Sequence, residues 1–319
     1  MKKGLVIVTP VYNDWQSFKM LVKELLVVTS KSNFTIEAIV AVNDGSSESL
    51  NDSDINSLIP ITLINLNTNM GHQRAISIGL SYVNDQFSNY DYSIVMDCDG
   101  EDRPQDIKKL IDFQVKSQIQ AIVFAKRQKR KEGMVFKLFY NLYKFIFKLL
   151  TKQHIDFGNF SSIPKSLVPR VVSIPELWNH YSGGVIKSKI HYTSLGTDKG
   201  DRYHGTSKMN FQNLVLHGLS SISIYLDVIS IRLLLFAFFS STLVILGLFV
   251  IVYLTMFTSI PIPGWSSLTG FLLINILAIF ILTTFLILLF QLNQKTIVKL
   301  PPKAFYKDFI LSVRKLNYS

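Results

Sequence analysis

The sequence predicts an α/β domain built on a mostly parallel sheet, followed by amphipathic helices and a two-helix transmembrane hairpin. Three observations carry that reading. Short apolar runs alternate with segments of helical periodicity through the first 125 residues, and polar groups collect where the apolar runs end. Further on, no Lys, Arg, Asp, Glu or His occurs from Leu233 to Gln294. Alternation of strands and helices is the signature of an open parallel sheet, whose ligands bind beyond the carboxyl ends of the strands.

The elements follow in order. Leu5 to Thr9 is a continuous apolar strand ending at Pro10. Ser17 to Thr29 places Phe18, Leu21, Val22, Leu25 and Leu26 at helical spacing. Ile36 to Val42 is a second strand, broken by Asn43-Asp44-Gly45-Ser46, and Ile61 to Leu66 is a third. Gly71 to Val83 reads as a helix, and Tyr92 to Met96 as a strand running into Asp97-Cys98-Asp99. A helix over Asp106 to Val115 and a strand over Ala121 to Ala125 complete this part. The basic run Lys126 to Lys131 leads into an aromatic, lysine-bearing helix containing Phe136, Phe139, Tyr140, Tyr143, Phe147 and Leu150. Such a helix packs on the sheet or lies at a lipid surface, and the sequence leaves both open. His204 to Tyr225 is a second candidate interfacial helix.

The uncharged interval holds two apolar stretches, about 231–257 and 268–291, separated by Ser259 to Ser267. Each is long enough for the roughly 20-residue helix that hydrocarbon requires. Arg232 precedes the first; Lys295, Lys299, Lys303, Lys307, Arg314 and Lys315 follow the second, so both outer ends face the cytoplasm. The expected organisation is a catalytic or binding domain over 1–203 and a juxtamembrane segment over 204–230. The hairpin covers 231–291, and a basic cytoplasmic tail covers 292–319. The protein is therefore expected to be an integral membrane protein with membrane lipids as partners.

The 319 residues carry a formal charge of +11, which suits an anionic lipid surface or phosphate-bearing ligands. No nucleic-acid motif accompanies it, and none is expected as a partner. A single cysteine, Cys98, precludes an internal disulfide and fits a reducing compartment. The N-terminal Met-Lys-Lys-Gly stretch opens a buried strand rather than a signal peptide. No G-x-G-x-x-G follows that strand, which argues against a dinucleotide oxidoreductase.

Asp97 and Asp99 close a strand, where paired carboxylates beside a phosphorylated ligand make a natural Mg²⁺ or Mn²⁺ site. Glu101 and Asp102 add acidity, or serve as N-terminal charge for the following helix. Asn43-Asp44-Gly45-Ser46 is suited to holding a base or ribose, and equally to an Asx turn. Asn69-Met70-Gly71-His72-Gln73-Arg74 opens a helix and offers amides and Arg74 to an anion, although capping alone accounts for Asn69. Asp201 to Lys208 reads as a mobile basic loop able to close over a diphosphate, or as a linker. His204 has no second histidine or cysteine at metal-ligand spacing. Acidic neighbours oppose a thiolate at Cys98.

In order and spacing, these motifs resemble the inverting family 2 glycosyltransferases with a GT-A fold. They are Thr9-Pro10-Val11-Tyr12-Asn13, Asn43 to Ser46, Asn69 to Ala75, Asp97-Cys98-Asp99 and the terminal hairpin. The branch they are most similar to is the membrane-anchored polyprenyl-phosphate sugar transferases, among them dolichyl-phosphate mannose synthases and bactoprenol glucosyltransferases. The resemblance implies a GT-A-like sheet and a nucleotide-diphosphate sugar donor. It also implies an undecaprenyl or dolichyl phosphate acceptor and a Mg²⁺ or Mn²⁺ cofactor. It assigns Pro10, Tyr12 and Asp44 to the base and ribose pocket, and Asp97 and Asp99 to the metal and diphosphate. Glu101 stands where relatives often have a metal-contacting Gln, and Arg127 matches an arginine near the phosphates. Arg202 and Lys208 match a basic loop over donor and acceptor phosphate.

Two departures matter. Relatives often carry Thr-Gly-Asp-Phe where this chain has Phe157-Gly158-Asn159-Phe160, and the Asp is proposed there as general base. Asn159 cannot take a proton, and Asp156 replaces it only if the loop rearranges. Asn43 stands where relatives frequently have Asp, removing one charge. A phosphate acceptor needs little help from a base, since its second pKa is about 6, and Asn159 then orients it by hydrogen bonding. The alternatives are a tethered transferase acting on the hydroxyl of a lipid-linked saccharide, and a non-catalytic membrane scaffold. Homo-oligomerisation through the hairpin is compatible with each.

Overall fold

A computed structural model describes residues 2–48, 50, 55, 57–127, 145, 147–152, 156–205, 218–259 and 264–316. Lys208, most of the basic run after Arg127, most of the aromatic Phe136–Leu150 segment and residues 206–217 lie outside the described residues. The chain divides into two compact units. One comprises Met1–Tyr143, His154–Ile224 and Leu300–Ser319, the other Lys144–Gln153 and Tyr225–Lys299.

The first unit is built on β1 (Lys3–Val11), β2 (Phe34–Asn43), β3 (Ile61–Leu66) and β4 (Tyr92–Val95), all mutually parallel where they pair. To these are added β5 (Ile122–Arg127), β6 (Ser161–Pro164), β7 (Tyr192–Thr197) and β8 (Ile310–Leu316). The eight strands run in the order β7-β5-β6-β4-β1-β2-β3-β8, with β6 antiparallel to both neighbours and β8 antiparallel to β3. The expected mostly parallel, GT-A-like sheet followed by helices is present.

Period-2 alternation along β1 distributes its side chains to two cores. Leu5 and Ile7 join α1 (Trp15–Ser30) and α3 (Pro104–Ser117) through Phe18, Leu21, Ile107 and Leu110. Val6 and Val8 join α2 (His72–Gln86) through Ile76, Ile78 and Leu80 on the other face. That second face also takes up α4 (Val168–Val171) and α5 (Tyr181–Lys187). With both faces covered, the central strands read as unbroken apolar runs, which is why they are legible in sequence.

Strands β6, β7 and β8 are not anticipated by the sequence reading. β8 lies within the segment expected to be a tail. It is mostly exposed and basic, with Arg314 and Lys315, so it carries no alternation signal. It is held by its antiparallel ladder with β3 and by polar ties: Asn65 Nδ2 donates to Ser312 Oγ at 3.0 Å, and just before the strand Asn67 Nδ2 donates to the Asp308 carbonyl at 3.0 Å. The buried Tyr306 donates its hydroxyl to Asp85 at 2.9 Å.

The second unit contains α6 (Leu226–Phe257) and α7 (Trp265–Thr296), each of 32 residues, with mean hydropathies of 2.6 and 2.9. They contact one another, yet α7 buries none of its residues, and Phe271, Ile279, Ile281 and Phe285 stand exposed. By length and composition both are able to cross a membrane. At 1.5 Å per residue each spans about 48 Å, against a hydrocarbon core of about 30 Å.

Candidate active site

The carboxyl ends of β1, β2 and β4 converge on a cleft of about 290 Å³. It is lined by Pro10, Val11, Tyr12, Asp14, Asp44, Asn69, Gly71, His72, Asp97, Cys98, Asp99 and Arg202. Of the residues assigned from sequence, Pro10, Tyr12, Asp44, Asp97, Asp99 and Arg202 meet here. Glu101, Arg127, Asp156 and Asn159 are not among the lining residues, and Lys208 lies outside the described residues.

Asp44 follows β2 directly and is buried. Its Oδ1 accepts the Met70 amide at 2.6 Å and its Oδ2 the Gly71 amide at 3.0 Å. A carboxylate from one strand end thus serves the free amides at the start of α2, a task that Asn69 was a candidate to perform. Burial raises the Asp44 pKa against the pull of those two amides. Asn43 Oδ1 accepts the Ser46 amide at 3.0 Å, the Asx-turn alternative, and its Nδ2 donates to Asn65 at 2.9 Å. Tyr12, 44% exposed, presents its ring at the mouth of the same region.

The loop after β4 is fastened from two sides. Asp102 Oδ2 accepts the Asp97 amide at 3.0 Å, and its Oδ1 takes Arg127 at 3.2 Å. Arg127 also reaches Glu101 at 3.0 Å, whose other oxygen pairs with Lys199 at 3.1 Å. Glu101 and Arg127 are therefore partners of each other in a clamp that joins β5, this loop and the segment after β7. Asp102 is pushed up to about 7 by burial and by the Asp97 charge, although Arg127 pulls the other way.

The segment after β7 is docked rather than free over 200–203. Gly200 donates its amide to the Glu101 carbonyl at 2.9 Å, and Tyr203 to the Asp99 carbonyl at 2.8 Å. Two glycines make this approach possible: a Cβ on Gly200 would sit 2.1 Å from the Gly100 carbonyl oxygen. Gly100 itself has φ +91°, a region that other residues rarely adopt. The docking delivers Arg202 to Asp99 Oδ2 at 3.2 Å and to Asp14 at 3.6 Å. The mobile loop read from sequence is thus fixed over these residues. Burial, then the neighbouring Asp97, raises the Asp99 carboxyl.

His72, the first residue of α2, stands beside Asp97, its Nε2 lying 3.1 Å from Asp97 Oδ1. Oδ1 is out of contact with solvent, so its pairing with the imidazole is shielded. The Asn159 Nδ2 lies 3.0 Å from the same His72 nitrogen. Gln73 connects this group to the second face of the sheet, accepting the Tyr181 amide at 2.6 Å and donating to Asn159 Oδ1 at 3.4 Å. Loss of hydration lowers the imidazole pKa, but Asp97, Asp102 and Asp99 outweigh it and hold the group above its usual value. In return His72 and the nearby arginines hold Asp97 below the usual carboxylate range despite its burial. Asp156 is paired with Lys126. Cys98 is buried, which pushes its thiol well up and leaves it inert.

The sequence offers His72 only as part of a motif and Asp102 only as added acidity or helix N-terminal charge, and it does not single out Asp14 or Lys199. For His72 the available signal was position: it opens the helix that follows a parallel strand, where a side chain is carried to the ligand end of the sheet. Asp14 and Lys199 gave no comparable signal, because their partners Arg202 and Glu101 come from distant elements.

Comparison with known proteins bears on this cleft. The family model described as glycosyl transferase family 2 matches residues 6–168, just over half of the chain. An uncharacterised glycosyltransferase of Synechocystis is 26% identical over 284 residues, covering 83% of this chain and 82% of the relative. An undecaprenyl-phosphate 4-deoxy-4-formamido-L-arabinose transferase of Edwardsiella ictaluri is 26% identical over 288 residues, covering 86% and 83%. Among solved structures, glucosyl-3-phosphoglycerate synthase from Mycobacterium tuberculosis, in complex with Mn²⁺, UDP-glucose and phosphoglyceric acid, aligns with a TM-score of 0.49. It is 13% identical over 71% of this chain and 80% of that one. With its family pattern spanning β1 to α4 and enclosing every strand end that forms the cleft, the chain belongs to glycosyl transferase family 2.

Proposed function

We propose that this protein moves a sugar from a nucleotide-diphosphate donor to a polyprenyl phosphate at the cytoplasmic face of a membrane, with inversion at the anomeric carbon. The observation that carries the acceptor class is the chemistry at Asn159. An amide stands where a hydroxyl acceptor needs a base, Asp156 is committed to Lys126, and His72 Nε2 is engaged by Asn159 and Asp97. A phosphomonoester, with a second pKa of about 6, supplies its own anionic oxygen. Transferases named for undecaprenyl phosphate are among the relatives matched over most of the chain. The two apolar helices support a membrane location for an acceptor with a hydrocarbon tail. The return of β8 to the sheet that holds β1 supports a reading in which both outer ends of the hairpin lie on one side.

In this reading Pro10, Tyr12 and Asp44 receive the base and ribose, while Asp97, Asp99 and Arg202 face the diphosphate. The donor set fits a divalent cation, because Asp97 and Asp99 bring two carboxylates to one cleft and hard cations take oxygen ligands. When bound, Mg²⁺ or Mn²⁺ supplies charge neutralisation for the departing nucleotide diphosphate. An oxygen of the acceptor phosphate forms the new bond to the anomeric carbon. The bond from that carbon to the donor phosphate oxygen breaks, and the nucleotide diphosphate leaves with the electron pair. No proton must be removed from the acceptor dianion. Arg202, held on Asp99 by the docked segment, is positioned to stabilise charge that develops on the leaving group.

The test is the full chain in lipid nanodiscs with Mg²⁺ or Mn²⁺, a panel of sugar nucleotides, and undecaprenyl or dolichyl phosphate. Transfer to the lipid phosphate is expected, with little remaining after Asp99→Asn. Transfer to a saccharide hydroxyl alone would select the tethered-transferase alternative, and full activity of Asp99→Asn would remove its assigned role.

A further inference from the structure

One buried residue on the second face of the sheet reaches Asn159 from two directions. Tyr181, the first residue of α5, is fully buried, with its ring against Phe124, which stacks on Phe157 at 4.2 Å. The Tyr181 hydroxyl lies 2.8 Å from Ser161 Oγ, and Ser161 donates its own proton to the Asn159 carbonyl at 3.0 Å. A hydroxyl has one proton to give, so Tyr181 is the donor to Ser161. This path holds the Asn159 main chain.

The second path holds its side chain. The Tyr181 amide donates to Gln73 Oε1 at 2.6 Å, and Gln73 Nε2 donates to Asn159 Oδ1 at 3.4 Å. A main-chain N–H only donates, so the Gln73 atom that faces it is the oxygen. The NH₂ group of Gln73 is thereby turned to Asn159, and the Asn159 oxygen is the atom that receives it. The NH₂ group of Asn159 is left on the far side, 3.0 Å from Nε2 of the cleft-lining His72. At most one of its two hydrogens is spent on His72, which leaves one for an incoming oxygen.

An NH₂ group offered in this way suits an anionic oxygen, since a charge-assisted hydrogen bond is about twice as strong as a neutral one. It cannot take the proton that a hydroxyl acceptor must lose. Resting on the transferase reading above, we propose that Gln73 is the positioning residue that fixes Asn159 as a hydrogen-bond donor to the acceptor phosphate. Gln73 acts only through Asn159, by deciding which end of that amide the acceptor meets. With the amide turned over, its oxygen would face the phosphate and repel it.

Gln73→Glu inverts the polarity while keeping the shape. One carboxylate oxygen still accepts the Tyr181 amide, and an acidic residue in the first turn of α2 suits the helix dipole. The other oxygen now faces Asn159, which turns its NH₂ group inward and its oxygen to the acceptor. Steady-state kinetics of the full chain in nanodiscs, with sugar nucleotide, divalent ion and undecaprenyl phosphate, should show the KM for the lipid phosphate rising by about 10- to 100-fold. The KM for the sugar nucleotide should stay at the wild-type level. In an Asn159→Ala background, Gln73→Glu should change the lipid-phosphate KM by no more than about twofold, which separates the turned amide from the added charge. Asn159→Ala alone leaves the Gln73–Tyr181 pair intact and should raise the same KM, so it decides the matter if Gln73→Glu does not fold. An unchanged lipid-phosphate KM in either single variant, an equal rise in both KM values, or a further tenfold rise in the double variant would overturn the assignment. Failure of wild type to transfer sugar to the lipid phosphate would sink the function, and this role of Gln73 with it. Wild-type transfer without the variant pattern sinks the role of Gln73 alone.

Discussion

Replacing Asp44 by alanine removes the acceptor for two amides at once. The Asp44 carboxylate takes the Met70 amide at 2.6 Å and the Gly71 amide at 3.0 Å, and Asp44 is buried. An unsatisfied buried amide costs about 1–3 kcal/mol, so two give roughly 2–6 kcal/mol. Relief from burying a charge, the effect that raises the Asp44 pKa, offsets part of this. A net loss of about 3 kcal/mol is expected, equivalent to a fall in Tm of about 6–12 °C for a domain of this size range. Asp44→Asn retains one acceptor oxygen and should lose about half as much. The measurement is thermal unfolding of the full chain in nanodiscs, followed by tryptophan fluorescence. A Tm within about 2 °C of wild type would show that the carboxylate does not carry these amides, and the stated role of Asp44 would fail.

Other outcomes follow from the same contacts. Gly200→Ala, whose Cβ meets the Gly100 carbonyl at 2.1 Å, should displace Arg202 and lower kcat/KM by about 100-fold; unchanged steady-state kinetics would contradict the docking role. Asp156→Asn should retain the wild-type pH–rate profile, because Asp156 partners Lys126 and takes no proton from the acceptor; loss of a limb of that profile would make it the base. Asp102 keeps its proton in the folded state up to about 7, whereas the unfolded chain releases it near about 3.9. The folded state therefore holds more protons in that window, so this group makes stability fall as pH rises through it. In the presence of chelator, Asp102→Asn should flatten the dependence of Tm on pH between about 4 and 7. A slope equal to that of wild type would refute the assignment.

Central strands and the helices beside them were legible because burial on both faces writes itself as apolar runs and 3.6-residue periodicity. Ile61–Leu66 coincides with its expected bounds, and α1, α2 and α3 each extend only a few residues beyond theirs. Asp44, Asp97 and Asp99 were legible from the strand ends, since a parallel sheet fixes where such residues gather, whereas Pro10 and Tyr12 came from the family resemblance. Strand β8 was not legible. Most of its residues face solvent, and its pairing partner β3, with the Asn65–Ser312 tie, lies more than 200 positions away in the chain. The partnerships of Glu101, Arg127 and Lys199 were hidden similarly: a charge run does not state whether its members meet a ligand or one another. His72 was visible only within its motif, because an isolated histidine has no sequence spacing to its ion-pair partner, Asp97, which belongs to a different strand end.

The central claim is that the nucleophile is a lipid phosphate, and the linkage in the product tests it most directly. ³¹P NMR of the full chain in nanodiscs, with sugar nucleotide, divalent ion and polyprenyl phosphate, follows the acceptor phosphorus itself. The account predicts that the phosphomonoester resonance is replaced by a glycosyl phosphodiester resonance as nucleoside diphosphate appears. Release of nucleoside diphosphate with the phosphomonoester unchanged, and sugar recovered on a hydroxyl or in water, would contradict it.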